Sequence, residues 1–254
     1  MPKECFRYPE TTPLLETLDG AARQSGLSRG QTFDDFLQMT VCALSGGQME
    51  SQYLAVVKKY TEGKSGQRGC DRLARLLGQL VEAMESTAQQ TRDILGDLFE
   101  GAITYGEHGQ YLTPEPLTHL MANLALAETK PPEPPKPRTV CDPCCGSGRL
   151  LLAVAEERRH WEFIGQDVDL RCVRMTAINL ALRNLYGYVV WGNSLALEQK
   201  LIYRTGFNLQ GFVRKLPLAA CPAAVQQVAA ESQTPTTTSG DSSVAPPTHQ
   251  LRLF

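Results

Sequence analysis

The sequence predicts an α/β fold, a doubly wound but incomplete open sheet that follows a helical N-terminal region. Apolar residues recur at helical spacing through roughly the first 100 residues. Residues 139–195 then alternate short apolar runs with amphipathic helical segments, which is the pattern of a parallel β-α-β-α-β unit. We therefore predict a helical region at 1–102, an α/β domain at 103–218 and a disordered tail at 219–254.

Composition excludes several classes of protein. The 254 residues are 42% hydrophobic and 20% charged, as in ordinary globular chains, and the net charge of −2 gives no overall basic character. No run of 18 apolar residues exists, and the polar N-terminus has no signal-peptide core, so we predict a cytoplasmic protein without a membrane partner. The eight cysteines are predicted to be reduced thiols. Cys141 and Cys144 form a C-x-x-C without a second pair at ligand spacing, so no metal is expected.

The N-terminal elements follow from periodicity and from helix breakers. Residues 1–30 contain Pro and Gly breakers and are predicted to be irregular. Helical spacing predicts helices at 32–44 and 51–60, and the polar, Gly-rich segment 61–69 predicts a loop. A longer helical pattern runs from Leu73 to Phe99.

The segment 103–128 predicts a turn followed by a helix. Thr113 is a good N-cap and Pro114 suits the first helical position. The Pro-rich residues 130–138 predict a semi-rigid connector. The helix carries an apolar stripe, made of Leu117, Leu120, Met121, Leu124 and Ala125.

The α/β half is predicted element by element. Strands are expected at 139–142, 161–166 and 188–191, with helices at 149–157 and 169–185 between them. The second helix carries three arginines, for which a solvated face is expected. They are Arg171, Arg174 and Arg183.

Polar residues end all three predicted strands and indicate a ligand site. Gly146 and Gly148 allow close backbone approach, and the helix that follows them offers its N-terminal amides. Asp142 disfavours a pyrophosphate and suits a ligand with a cationic amino-acid end. Asp167 can accept hydrogen bonds from ribose hydroxyls, and Asn193 can contact a base edge. The alternative interpretation is a packing turn with ordinary strand-end caps.

These residues resemble the motifs of S-adenosylmethionine-dependent, adenine-specific (N6) DNA methyltransferases. The similarity is closest to the methylation subunits of type I restriction–modification systems and covers roughly residues 70–195. Residues 142–148, 164–169 and 192–195 resemble the first, second and third motifs of the family, in the family's order. Residues 109–114 resemble the segment before the first motif, and residues 93–100 fit its helical lead-in.

The resemblance implies a Rossmann-like methyltransferase fold, S-adenosylmethionine as cofactor, and DNA as partner, bound directly or through another subunit. It places the turn Asp142–Gly148, with Cys145, at the methionine moiety, and Thr113 at its carboxylate. It places Asp167 at the ribose, Val168 beside the adenine and Asn193 at the adenine amino group.

The family's catalytic tetrapeptide, Asn or Asp followed by Pro-Pro and an aromatic residue, is missing. The Pro-Pro pairs at 131–132, 134–135 and 246–247 lack both flanking residues, so the catalytic residues are left unassigned. Three alternatives remain open. They are an active enzyme with a diverged site using Tyr203, Arg204 or Asn208, a cofactor-binding relative without catalysis, and a nicotinamide-binding domain.

The C-terminal peptide is a second signal. Residues 231–248 contain no aromatic residue, Leu or Ile and predict disorder, yet residues 250–254 are apolar again. These five residues resemble the short motif that docks bacterial proteins on the replication sliding clamp. The resemblance implies that Gln250 enters a polar pocket and that Leu251, Leu253 and Phe254 enter an apolar groove. The alternative is a frayed apolar end.

Overall fold

The computed structural model describes residues 5–85, 92–104, 111–127, 138–220 and 250–252, with eight α-helices and six strands. The predicted connector 130–138 lies outside the described residues except for Arg138. The helices are α1 (Thr11–Ser25), α2 (Arg29–Ala43), α3 (Glu50–Val57), α4 (Gly69–Glu85), α5 (Ile94–Leu98), α6 (Glu115–Ala127), α7 (Arg149–Glu157) and α8 (Leu170–Leu182). The strands are β1 (Thr139–Asp142), β2 (Glu162–Asp167), β3 (Gly187–Trp191), β4 (Leu201–Asn208), β5 (Gly211–Leu216) and β6 (Gln250–Arg252).

The first helix corrects the sequence prediction, because α1 occupies a stretch that was expected to be irregular. Pro13 lies in its first turn, where the missing N–H has no intrahelical partner to lose. Leu14, Leu15 and Leu18 are buried, and α1 packs along α4. Tertiary burial of this face therefore outweighs the local breakers.

The remaining N-terminal helices agree with the periodicity. Ser28 caps α2 by accepting a hydrogen bond from the Gln31 N–H at 3.2 Å. The long helical pattern is two elements, since α4 ends at Glu85 and α5 begins at Ile94 and continues into a π-helical turn at Phe99–Thr104. None of the described helices combines the length and hydropathy that a membrane crossing requires.

The sheet has the strand order β5-β4-β3-β2-β1-β6. β1, β2 and β3 are parallel and are joined through α7 and α8, as predicted, with Cys141 opposite Ile164 and Ile164 opposite Tyr188. The strand limits differ from the predictions by one residue at most, and α8 ends three residues earlier than expected. The predicted fold class, an α/β Rossmann-like sheet that is incomplete and follows N-terminal helices, is confirmed.

The segment that the sequence left undetermined, 199–220, forms a hairpin. β4 runs antiparallel to β3, and β5 runs antiparallel to β4, with an irregular register between Thr205 and Asn208. Gly206 has φ +96°, a left-handed conformation that glycine tolerates. The sheet is thus extended beyond β3 by an antiparallel hairpin rather than by further crossover units.

The opposite edge of the sheet carries part of the C-terminal peptide. Gln250–Arg252 pairs in parallel with β1, with Gln250 opposite Thr139 and Arg252 opposite Cys141. The sequence predicted a peptide at the end of a disordered tail, whereas these three residues belong to the sheet backbone. Leu253 and Phe254 lie outside the described residues.

The arginines of α8 correct another expectation, since they are partly buried against the N-terminal part of the chain instead of forming a solvated face. Arg171 lies over the Phe99 ring at 5.3 Å and pairs with Asp169. Arg174 donates to Gln38 at 3.3 Å, and Arg183 donates to the Arg92 carbonyl at 2.5 Å. α2 covers α8, so this polar face joins the two parts of the chain.

Helix α6 also packs differently from its predicted apolar stripe. Leu117, Leu120 and Leu124 are exposed, and the buried residues are instead Thr118, Ala122 and Leu126. α6 packs on α7. Of the predicted stripe, Met121 and Ala125 are partly buried and pack against the core.

Candidate functional site

A cavity of about 260 Å³ lies at the carboxyl ends of β1 and β2. This edge is the usual ligand position in open α/β sheets. Its wall comes from seven parts of the chain: the π-helical turn, the lead-in to α6, the end of β1 with the β1–α7 turn, the start of α7, the end of β2, α8 and the loop after β3. The lining residues are Phe99, Tyr111, Leu112, Thr113, Asp142, Pro143, Cys144, Cys145, Gly146, Ser147, Arg149, Leu150, Asp167, Val168, Cys172 and Ser194.

The β1–α7 turn forms the floor of the cavity. The Cys145 N–H donates to the Gln166 carbonyl at 2.9 Å, and the Gly148 N–H donates to the Cys145 carbonyl at 2.7 Å. Gly146 has φ +54°, and a Cβ there would lie 2.7 Å from the Leu112 side chain. The turn therefore needs glycine both for its backbone conformation and for the approach of Leu112.

Asp142 is the electrostatic centre of the floor. Its side chain is 1% exposed, and its Oδ1 accepts a hydrogen bond from the Cys144 N–H at 3.0 Å. Its Oδ2 is buried and has no hydrogen-bond partner in the described part of the chain. Burial raises the pKa of Asp142 to about 6, and repulsion from Asp167 adds to the shift. A buried acceptor without a donor costs free energy, so this oxygen is suited to a donor or cation supplied by a ligand.

Asp167 ends β2 on the neighbouring side of the cavity. Its Oδ2 accepts the Gly146 N–H at 2.9 Å and its Oδ1 accepts the Asp169 N–H at 2.8 Å. Burial raises the pKa of this carboxyl as well. Each oxygen keeps acceptor capacity for a ligand hydroxyl while the backbone fixes its direction. Val168 follows it and is 66% exposed beside the cavity, as an apolar surface on which a flat ring can lie.

The lead-in to α6 is fixed to the cavity by Arg149, the first residue of α7. Its Nη1 donates to the Thr113 carbonyl at 2.9 Å, and its Nη2 pairs with Glu100 Oε2 at 3.1 Å. The other Glu100 oxygen accepts the Leu112 N–H at 2.9 Å. These interactions hold Leu112 and Thr113 against the turn.

A second buried carboxylate, Asp93, anchors the turn from behind. Its Oδ1 accepts from the Gly96 N–H at 2.9 Å and from Asn179 Nδ2 at 3.0 Å. Its Oδ2 accepts from the Ser147 hydroxyl and from Arg149 Nε at 3.0 Å. The sequence analysis included Asp93 in the helical lead-in but assigned it no role. Its side-chain partners come from α7, α8 and the turn, which only the tertiary structure brings together.

The structure brings most of the predicted cofactor residues together. Gly148 and Asn193 do not line the cavity, and the Asn193 Oδ1 accepts the Leu195 and Ala196 N–H groups of its own turn, at 3.0 and 3.2 Å. Their roles, like those of the six that line it, stay predictions. The six are Thr113, Asp142, Cys145, Gly146, Asp167 and Val168.

The residues considered for a diverged catalytic site lie elsewhere. Tyr203, Arg204 and Asn208 belong to β4, and the cavity lining includes none of them. β4 is antiparallel to β3, with Leu201 opposite Trp191 and Thr205 opposite Gly187. Residues beyond Leu201 therefore run away from the carboxyl edge. Sequence analysis also missed Phe99 and Cys172, because both reach the cavity from other elements.

The fold is an α/β fold with a cavity at the carboxyl edge of a parallel sheet, where such folds usually bind their ligands. Residues 90–206, a little under half of the chain, match the model of the N-6 DNA Methylase family. This match supports an adenine N6 methyltransferase family for that segment. No curated protein sequence matches the chain.

Solved structures give partial overlaps. The methyltransferase subunit of a type I restriction–modification system from Streptococcus thermophilus is 17% identical, with a TM-score of 0.33, over 69% of this chain and 56% of that one. A proposed class I S-adenosylmethionine-dependent methyltransferase from Listeria monocytogenes is 15% identical, with a TM-score of 0.38, over 70% and 51%. The chain thus spans about half the length of both structures.

Proposed function

We propose that this chain binds S-adenosylmethionine in the cavity and takes part in the transfer of the cofactor's methyl group to the exocyclic amine of adenine in DNA. The observation that carries the proposal is the buried Asp142 Oδ2, which has no hydrogen-bond partner among the residues that the structure describes. A sulfonium nucleoside with an α-ammonium group supplies the missing donor and positive charge. The family match over 90–206 supports the reaction class.

The remaining residues of the cavity fit the other parts of this cofactor. The turn Asp142–Gly148 holds the amino-acid end, and the carboxylate lies towards Thr113. Asp167 accepts the ribose hydroxyls, since its two oxygens are oriented by the Gly146 and Asp169 amides. Val168 lies along the adenine. When bound, the cofactor supplies an electrophilic methyl group, and these residues bind and orient it.

Calorimetry with S-adenosylmethionine tests the binding step. We expect binding of this cofactor and no binding of a nicotinamide dinucleotide, because Asp142 repels a pyrophosphate. Binding of the dinucleotide alone would overturn the proposal. The transfer step is tested by methylation-sensitive digestion of DNA from cells that express the chain, with an Asp142→Asn variant as the matched control.

A specific observation favours a second candidate, a cofactor-binding protein that does not methylate. The 254 residues contain no Asn/Asp-Pro-Pro-aromatic sequence, and β1 is flanked on its outer side by the short β6. Unmodified DNA together with tight cofactor binding would select this candidate. A partner subunit that carries the transfer groups would restore methylation when it is co-expressed.

As part of this second candidate, we propose that residues 250–254 dock on the bacterial sliding clamp. In the structure Gln250–Arg252 pairs with β1, so docking requires release of three residues of strand. Capture by immobilised clamp is the measurement, and we expect it to be lost in a chain that ends at residue 249. A variant with the five residues in scrambled order is the control, and equal capture of all three proteins would refute the docking.

A further inference from the structure

The hairpin β4–β5 presents a basic and aromatic surface on one face of the sheet, which we call the hairpin patch. Arg204 lies directly opposite Tyr188 on β3 and directly opposite Arg214 on β5. Residues paired in this way project from the same face. The patch therefore has a row of side chains across three strands, flanked by exposed rings. It consists of Tyr186, Tyr188, Arg204, Phe207, Phe212 and Arg214.

The two arginines of this row are like charges in a directly opposed cross-strand pair, an arrangement that destabilises a sheet. Both are half-buried, and within the described part of the chain neither has a carboxylate at ion-pair distance. The Arg204 Nε is buried and has no hydrogen-bond partner among these described residues, while the guanidinium of Arg204 lies over the Tyr186 ring at 5.4 Å. Among the described residues, the pair is thus held in place without a carboxylate at ion-pair distance.

Exposed aromatic rings continue the patch towards the hairpin turn. Phe207 is 62% exposed and Phe212 is 37% exposed, and their ring centroids are 5.2 Å apart. Tyr186 and Tyr188 share a hydrogen bond of 2.7 Å between their hydroxyls. Aromatic rings beside paired cations are the usual composition of a nucleic-acid contact, where cations bind phosphates and rings contact sugars or bases.

We propose that the hairpin patch is a DNA-docking surface in which Arg204 and Arg214 bind backbone phosphates. This inference rests on the proposed function and assigns a place to its DNA substrate. Charge complementarity favours a polyanion, because Arg204 and Arg214 place two positive charges side by side on a chain whose net charge is −2. The patch lies near the amino end of β3, where Tyr188 is the second residue, whereas the cavity lies at the carboxyl ends of β1 and β2. It therefore anchors DNA without contacting the cofactor.

The test compares the Arg204→Gln/Arg214→Gln double variant with wild type in fluorescence anisotropy titrations of a labelled DNA duplex. A matched control, Arg23→Gln/Arg75→Gln, removes the same charge from exposed positions on α1 and α4. Because the double variant lacks both phosphate-binding cations, we expect at least tenfold weaker binding at about 0.1 M KCl and a log–log salt slope that is shallower by about 1.8. The control keeps wild-type affinity, and Arg204→Lys/Arg214→Lys retains most of it.

Calorimetry with S-adenosylmethionine on the same proteins separates the two proposals. Unchanged cofactor binding in the double variant, together with weakened DNA binding, supports the patch. Equal DNA binding by the double variant and wild type overturns the patch and leaves the cofactor proposal intact. Equal losses in the control variant, or tighter binding of an RNA duplex of the same sequence, also overturn it. Absence of cofactor binding in wild type overturns the proposed function alone.

Discussion

Two carboxylates, each 1% exposed, lie on opposite sides of the same turn and have opposite hydrogen-bond environments. Asp93, behind the turn, accepts four hydrogen bonds, from Gly96, Ser147, Arg149 and Asn179. Asp142, in the cavity floor, accepts one hydrogen bond from the described residues, and its other oxygen has no partner among them. Burial alone therefore does not distinguish these two acids, whereas the number of hydrogen-bond donors around each of them does.

The difference has a physical reason. A buried charge is tolerated when its hydrogen bonds are satisfied within the protein, and Asp93 reaches that state in the folded chain. Asp142 does not, and its pKa is accordingly raised to about 6 by burial. The free energy that Asp142 costs in the unliganded protein is recovered when a donor or cation binds. We therefore expect changes at Asp93 to affect stability and changes at Asp142 to affect binding.

The largest expected effect is that of Asp93→Asn. The amide cannot accept four hydrogen bonds and leaves Arg149 buried beside a neutral group. We expect the free energy of unfolding to fall by about 3–5 kcal/mol, as for other broken buried ion pairs. Denaturant unfolding measures it. Asp71→Asn is the control, because Asp71 pairs with Arg68 at a more exposed site, and a similar loss in that variant would contradict the assignment of Asp93.

The second effect is that of Asp142→Asn on cofactor affinity. Loss of a charged hydrogen bond worth about 1.5–3 kcal/mol predicts a Kd for S-adenosylmethionine that is roughly 10- to 150-fold higher. The free energy of unfolding should not decrease, since the substitution removes a buried charge with an unpartnered oxygen. Calorimetry and denaturant unfolding on the same preparation measure both quantities. If Asp142→Asn lowered the free energy of unfolding and left the Kd unchanged, Asp142 would have the structural role that we assign to Asp93.

The third prediction concerns pH. Because the pKa of Asp142 is raised from 3.8 to about 6, the carboxyl is protonated below that pH and no longer attracts a cation. Cofactor affinity should fall by up to tenfold per pH unit below about 6. The contribution of Asp142 to the free energy of unfolding has the opposite pH dependence. It is fully present below the pKa that this carboxyl has in the unfolded chain, and it is lost as the pH rises through its pKa in the folded protein. Asp142→Asn should remove the part of this dependence that comes from Asp142, whereas Asp167→Asn should keep a pH dependence with its midpoint shifted to lower pH, because repulsion from Asp167 helps to raise the pKa of Asp142.

The smallest expected effect is that of Glu100→Gln. The neutral amide can still accept the Leu112 N–H but weakens the partly exposed pair with Arg149. We expect a Kd for the cofactor that is about two- to fivefold higher, with little change in stability. Calorimetry against wild type measures it. If Glu100→Gln lowered the free energy of unfolding as strongly as Asp93→Asn, Glu100 would have a structural role like that of Asp93.

The parallel core of the fold and most of the cavity could be predicted from the sequence. β1, α7 and β2 are signalled by short apolar runs that end in polar residues, and these signals are local. Gly146 and Gly148 indicate the turn because their positive φ values require glycine. The acids at the strand ends must meet at one edge once the strands are parallel, which places Asp142 and Asp167 together.

Other features could not be predicted because they depend on distant partners. Helix α1 forms despite its breakers because α4 covers its apolar face. From the sequence alone, the arginines of α8 predict a solvated face, and only the folded structure shows that α2 packs over this helix. Asn193 has the residue type of a base contact, yet its oxygen is used by its own turn.

The sequence by itself determined the order of the elements, the parallel unit and the turn at its first strand, because periodicity and glycine conformation act over a few residues. The tertiary structure decided which buried acid is satisfied, which arginines pair, and that the hairpin sets Arg204 beside Arg214. It also decided that residues 250–252 lie against β1. These outcomes depend on contacts between residues far apart in the chain, and such contacts exist only after the chain has packed.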